Sequence, residues 1–169
     1  MFNDLIDFFK FQSKGIEHYI KYSTSLIFFI VIVLEIPFTY FSEGYESSTT
    51  SDLAINLLIA IPSVLFEALF FVYWLGRKDK KYSFLTVLNF TAMLTISASI
   101  PLIAWEAISP NVDSSSWGSI IAALIFVIYI FYLMVANMSV ATGVSKKYAL
   151  GGFLVIIGLL QIPTQLLIL

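Results

Sequence analysis

Residues 117–140 read WGSIIAALIFVIYIFYLMVANMSV, an unbroken run from Trp117 to Val140 without one Asp, Glu, Lys or Arg. A bilayer hydrocarbon core about 30 Å thick is crossed by roughly 20 apolar residues in a helix. This run is long enough, and it is not alone. Four more stretches qualify, at about 23–41 (around LIFFIVIVL), 53–75, 84–108 and 149–169. Barrel strands would be segments of about ten alternating residues. These runs are continuous, so the expected fold is all-α, a polytopic bundle of five transmembrane helices.

Composition agrees. Of 169 residues, 59% are hydrophobic and 12% charged. Soluble domains run at about 45–50% apolar and about 25% charged. Too few charges remain to clothe a soluble domain of this size. A formal net charge of −2 leaves no basic excess for nucleic acid. Cysteine is absent and His18 is the single histidine, so thiolate sites, disulfides and His-based metal sites are not expected.

The joints hold the polar residues. SEGYESSTTSD, GRKDKK, SPNVDSSS and TGVSKK separate successive runs, too short for a soluble domain. Consecutive helices should therefore be antiparallel neighbours. All nine cations fall in three places: Lys10, Lys14 and Lys21; Arg77, Lys78, Lys80 and Lys81; and Lys146 and Lys147. Five spans put these on one face. Five acids, Glu43, Glu46, Asp52, Glu106 and Asp113, belong to or border the other. The positive-inside rule then predicts a cytoplasmic N-terminus and a C-terminus outside. The basic turns become candidate contacts for lipid headgroups or a partner, although solvated positive-inside charge is the simpler explanation of them.

Residues 1–22 form a separate cytoplasmic segment, too polar for a signal peptide. At helical spacing Phe2, Leu5, Ile6 and Phe9 share a face, and Asn3, Asp7 and Lys10 another. That pattern predicts a short amphipathic helix in the interface. The alternative is a solvated tail whose aromatics touch the bundle. Tyr22, Trp74, Tyr82, Trp105, Trp117 and Tyr148 fall near predicted span ends, as interfacial aromatic belts do.

Two carboxyls lie inside predicted spans, Glu35 in LEIPF and Glu67 in VLFEALF. At about 1.5 Å per residue from the basic side, Glu35 is roughly 19 Å deep, Glu67 roughly 14 Å and Gln161 roughly 18 Å. Intramembrane charge marks a functional candidate. These three residues either form a proton or cation site or serve as hydrogen-bonded glue between helices. Pro37, Pro62, Pro101 and Pro163 interrupt four spans and free backbone carbonyls. Asn89 and Asn137 are placed to pair between the third and fourth spans. Small-residue rows such as Gly118/Ala122 predict close helix packing, with the same chain or a copy of it. No metalloprotease, hydrolase or nucleotide-loop motif occurs, so neither an enzyme nor a cofactor is expected.

Three stretches carry a family likeness: FFVYWLG (70–76), KKYSFLTVLNFTAMLTISASIP (80–101) and LMVANMSVATGVSKKYALGG (133–152). Over about Tyr22 to Leu169 the chain resembles the Yip1-domain family of five-span membrane proteins, in its short, prokaryote-like form. The resemblance implies five helices, a cytoplasmic N-terminus and work in membrane organisation or traffic. The DLYGP-like motif of the GTPase-binding members has no counterpart here, so GTPase binding is not implied. Two expectations follow. The first is a non-enzymatic scaffold or interaction protein of a prokaryotic cytoplasmic (inner) membrane, with the bilayer, itself or another membrane protein as partner. The alternative is a small proton- or cation-coupled transporter or channel subunit using Glu35 and Glu67.

Overall fold

The computed structural model describes residues 1–42, 50–108 and 117–167, without the side chains of 35, 38–42, 50–57, 106 and 160–167. Among them there is no strand. A short helix α1 (Phe2–Phe9) and a 3₁₀ segment (Ile16–Lys21) precede five long helices. These are α2 (Thr24–Ser42), α3 (Thr50–Gly76), α4 (Phe84–Ile108), α5 (Trp117–Thr142) and α6 (Lys146–Leu167). Each long helix occupies one of the apolar runs. Three described segments are long and apolar enough to cross a membrane: Leu58–Gly76, Phe84–Trp105 and Trp117–Thr142. Thr24–Leu34 is apolar but shorter. The outward surfaces of these helices are themselves apolar, with Leu58, Phe66, Leu69, Ile121, Leu124 and Ile128 exposed. Helices apolar on the outside fit an integral membrane protein.

The turns are set by local chemistry. The Ser83 hydroxyl accepts the Thr86 N–H at 3.2 Å and starts α4, an ordinary serine N-cap. Ser145 does the same for α6 through the Tyr148 N–H at 3.3 Å. At the end of α5, Gly143 takes φ +70° while its N–H bonds the Ser139 carbonyl at 2.9 Å. A residue with a Cβ would be strained there. Asp79 takes φ 58° in the turn after α3, a conformation Asp tolerates better than most residues.

Helix α4 is the centre. It packs against α2 and α3 and meets α5, while α6 joins α5 to α3. From Thr86 to Ala98 it is buried on every side except at Thr95. Its hydroxyls turn back onto its own carbonyls: Thr91 to Val87, Thr95 to Thr91 and Ser97 to Met93, at 2.8–3.0 Å. A buried polar residue is tolerated on such terms. The principal partner of α2 is α4 rather than α3, whereas α3 packs chiefly on α4 and α5 on α6, their neighbours in the chain. The Gly118/Ala122 row is not covered within the chain, since Gly118 is exposed and Ala122 half-buried.

Contact between α3 and α6 depends on one glycine. A Cβ on Gly152 would lie 2.9 Å from the Trp74 indole nitrogen and 3.0 Å from the Phe71 ring. Gly152→Ala is expected to destabilise the bundle by about 1–2 kcal/mol, the usual cost of overpacking. Thermal unfolding in detergent checks this, and Gly158→Ala, with open space around the new Cβ, is the control.

Candidate functional site

Residues 1–22 are fastened into one end of the bundle. Helix α1 turns its Asp4 and Phe8 inward, at 3% and 0% exposure, and leaves Phe2 at 74%. Of the face read from spacing, Phe2 is exposed while Leu5 and Phe9 pack against the core. Phe8 sits against Tyr19 and Phe90, with ring centroids 5.4 and 5.9 Å away. The chain then reverses at Phe11 (φ 57°), whose ring meets the edges of Tyr129 and Tyr132.

Asn89 and Asn137 do not pair with each other, contrary to expectation. Each grips the N-terminal segment instead. The Asn137 amide donates to the carbonyls of Phe8 (2.8 Å) and Leu133 (2.9 Å) and accepts the Ser13 N–H at 3.3 Å. The Ser13 hydroxyl donates to the Asn137 carbonyl at 3.0 Å. Asn89 donates to the carbonyls of Tyr19 (3.3 Å) and Tyr22 (3.0 Å) and accepts from the Thr24 hydroxyl at 2.8 Å. The reason is satisfaction of backbone groups. Between Phe9 and Thr24 the segment has only 3₁₀ and turn bonds of its own, so its buried backbone groups take side-chain partners as well. Two amides, one on α4 and one on α5, supply them.

Asp4 is a hub that spacing did not single out. Its carboxylate accepts from Lys14 at 2.7 Å and from the Tyr22 hydroxyl, and has His18 Nε2 at 2.9 Å and Lys21 Nζ at 3.4 Å. Burial would raise this carboxyl, but hydrogen bonds from Lys14, Tyr22 and His18 outweigh burial and hold it well below its ordinary 3.8. Lys14 is raised, chiefly by its hydrogen bond to Asp4. Burial pushes the Tyr19 hydroxyl up to about 12. The legible signal was the row Lys14, His18, Lys21, two lysines and the single histidine at three- and four-residue steps.

The second basic cluster is built differently. Trp74 and Tyr148 stack with centroids 5.0 Å apart. The Trp74 indole donates to the Tyr148 carbonyl (3.2 Å) and the Tyr148 hydroxyl to the Trp74 carbonyl (2.5 Å). This reciprocal pair ties the end of α3 to the start of α6. Arg77 lies over Trp74 and Lys78 over Tyr148, at 5.5 and 5.2 Å from the ring centres. Lys146 lies over Tyr132 and donates to its hydroxyl at 2.8 Å. Lys81 and Lys147 are exposed. Among the described residues none of these cations makes an ion pair.

Of the intramembrane candidates, the side chains of Glu35 and Gln161 lie outside the described residues. Glu67 is buried on α3, and its Oε1 has no hydrogen-bond partner. Among the described residues no group of three His, Cys, Asp or Glu is arranged to hold a metal. Comparison of the chain with protein-family models, with curated proteins and with solved structures finds no match.

Proposed function

We propose that this chain is a non-enzymatic scaffold or interaction protein. In this reading it is a five-span protein of a prokaryotic cytoplasmic (inner) membrane, resembling Yip1-domain proteins. Its N-terminus and basic turns face the cytoplasm and its C-terminus lies outside. Its partners are the bilayer and either its own copies or another membrane protein, in membrane organisation or traffic. One observation carries the reading. Asn89, Thr91, Ser97, Asn137 and Thr142, buried in the bundle, and the half-buried Thr95 all bond to the chain's own backbone, while buried Glu67 does not. A conducting path needs polar groups left available to its cargo. Here they hold a static body together and fix a shaped surface at one end.

A second reading, proton- or cation-coupled transport, has Glu67 in its favour, because an unpartnered buried carboxyl is costly unless it works. Vesicles reconstituted with the full chain separate the two. They are expected to show no proton or cation flux above empty vesicles, while crosslinking in native membranes traps the chain with a copy of itself or another membrane protein. A flux abolished by Glu67→Gln would replace the scaffold reading with the transporter.

A further inference from the structure

The geometry points to a binding site for a single phosphate group between the two basic turns, formed by Lys78, Lys80, Gly143, Ser145 and Tyr148. A cavity of about 300 Å³ opens there, walled by these residues and Val144. Its wall contains two ammonium groups, a serine hydroxyl and a phenol ring, and no carboxylate.

The contrast with the other basic cluster is the first argument. Around Asp4, two lysine ammonium groups and the His18 ring converge on one buried acid and neutralise it. At this cavity no described carboxylate comes within ion-pair distance of Lys78 or Lys80, so two positive charges face one space unanswered. Like charges at one concave site repel unless an anion joins them.

The second argument is that the walls are held. The Lys78 ammonium rests over the Tyr148 ring, and that ring is fixed by its stack and its hydrogen bond to Trp74. The Lys80 Nζ lies 3.5 Å from where a Gly143 Cβ would stand. Gly143 thus serves the turn's positive φ, with the lysine beside it at ordinary contact distance. Donors arriving from two turns suit an anion with several oxygens spread in three dimensions, as in phosphate. The positive end of α6 adds to the same field.

The aromatic pair at the rim suits the level of lipid headgroups, so the phosphate belongs either to a headgroup or to a soluble phosphorylated compound. The cavity is independent of whether the bundle is scaffold or transporter. Only the lipid source rests on the membrane reading.

The test uses the full chain in neutral detergent, at fixed ionic strength. It is titrated calorimetrically with inorganic phosphate, dihexanoyl phosphatidic acid or dihexanoyl phosphatidylcholine. Saturable binding of phosphatidic acid, of phosphate or of both is expected, tighter than for phosphatidylcholine. Binding of the lipid alone assigns a headgroup, and binding of phosphate alone a soluble ligand. Lys80→Gln and Lys78→Gln are each expected to weaken binding about fivefold to tenfold, the value of one charge-assisted hydrogen bond. Lys10→Gln, the same charge change on the N-terminal segment, is expected to change it less than about twofold. No saturable binding by either phosphate probe overturns the site. Equal losses in Lys10→Gln and Lys80→Gln also overturn it, because they show a diffuse positive surface instead. Neither failure alters the flux or crosslinking results, so this site and the scaffold reading fall separately.

Discussion

Asn137→Ala is expected to release residues 1–22 from the bundle. The Asn137 side chain is fully buried and holds both the Phe8 carbonyl and the Ser13 N–H. Removing it strands the Ser13 N–H, at about 1–3 kcal/mol when buried. The Phe8 and Leu133 carbonyls lose less, because Phe8 keeps the Phe11 N–H and Leu133 lies inside a helix and keeps its ladder bond. The local cost is therefore about 2 kcal/mol, which raises the open fraction about thirtyfold. Trypsin reads this directly, since Lys10, Lys14 and Lys21 lie in the segment. Cleavage at Lys14 is expected to accelerate by about that factor while the long helices stay folded. An unchanged cleavage rate would remove Asn137 from its role as a clasp.

Asp4→Ala is expected to loosen the same segment by about 2–3 kcal/mol. It leaves the Tyr22 hydroxyl without its acceptor and Lys14, His18 and Lys21 without their common anion. The loss is no larger because Lys14 and Lys21 are 45% and 49% exposed and regain water. A pH dependence accompanies it. The folded Asp4 carboxyl lies below its ordinary 3.8, so its contribution is complete above that value and is lost as pH falls further. Lys14 is raised above its ordinary 10.5, so its share is complete below that value and is lost only as pH rises beyond it. Hydrogen exchange of α1, corrected for its intrinsic pH dependence, is expected to rise below about pH 4 in the native chain. In Asp4→Asn it is expected to start higher and stay flat. An acid limb persisting in Asp4→Asn would assign the effect to another group.

The long helices were legible because apolar runs and polar joints alternate so sharply in this chain. What was not legible was their arrangement. Stripes of apolar residues do not mark an inward face when the whole helix is apolar. The better clue was side-chain size. Helix α4, the central one, carries Thr86, Asn89, Thr91, Thr95, Ala98 and Ser99. The exposed part of α5 carries Ile120, Ile121, Leu124 and Ile125. Small and polar residues gather where helices meet, because lipid solvates large aliphatic chains as well as protein does. The same reasoning placed Asn89 and Asn137 at helix contacts correctly and paired them wrongly. Depth can be counted along a chain, but the claim of an irregular N-terminal segment on both amides cannot. The inward turn of Asp4 was not legible for a related reason, since it is drawn in by partners 10–18 residues away.

The clasp on residues 1–22 also sets an order of events. The bond from Asn137 to Phe8 joins positions 129 apart, and that from Asn89 to Tyr19 positions 70 apart. During synthesis the segment emerges before both anchors, and the second leaves the ribosome more than a hundred residues later. Contacts so distant in sequence form late. The segment therefore waits, first held at its 3₁₀ end by α4 and only afterwards at α1 by α5. Its closure reports that α5 has docked, so a nascent chain arrested before α5 would display the Phe11 ring without Tyr129 and Tyr132, in the form that quality-control machinery detects.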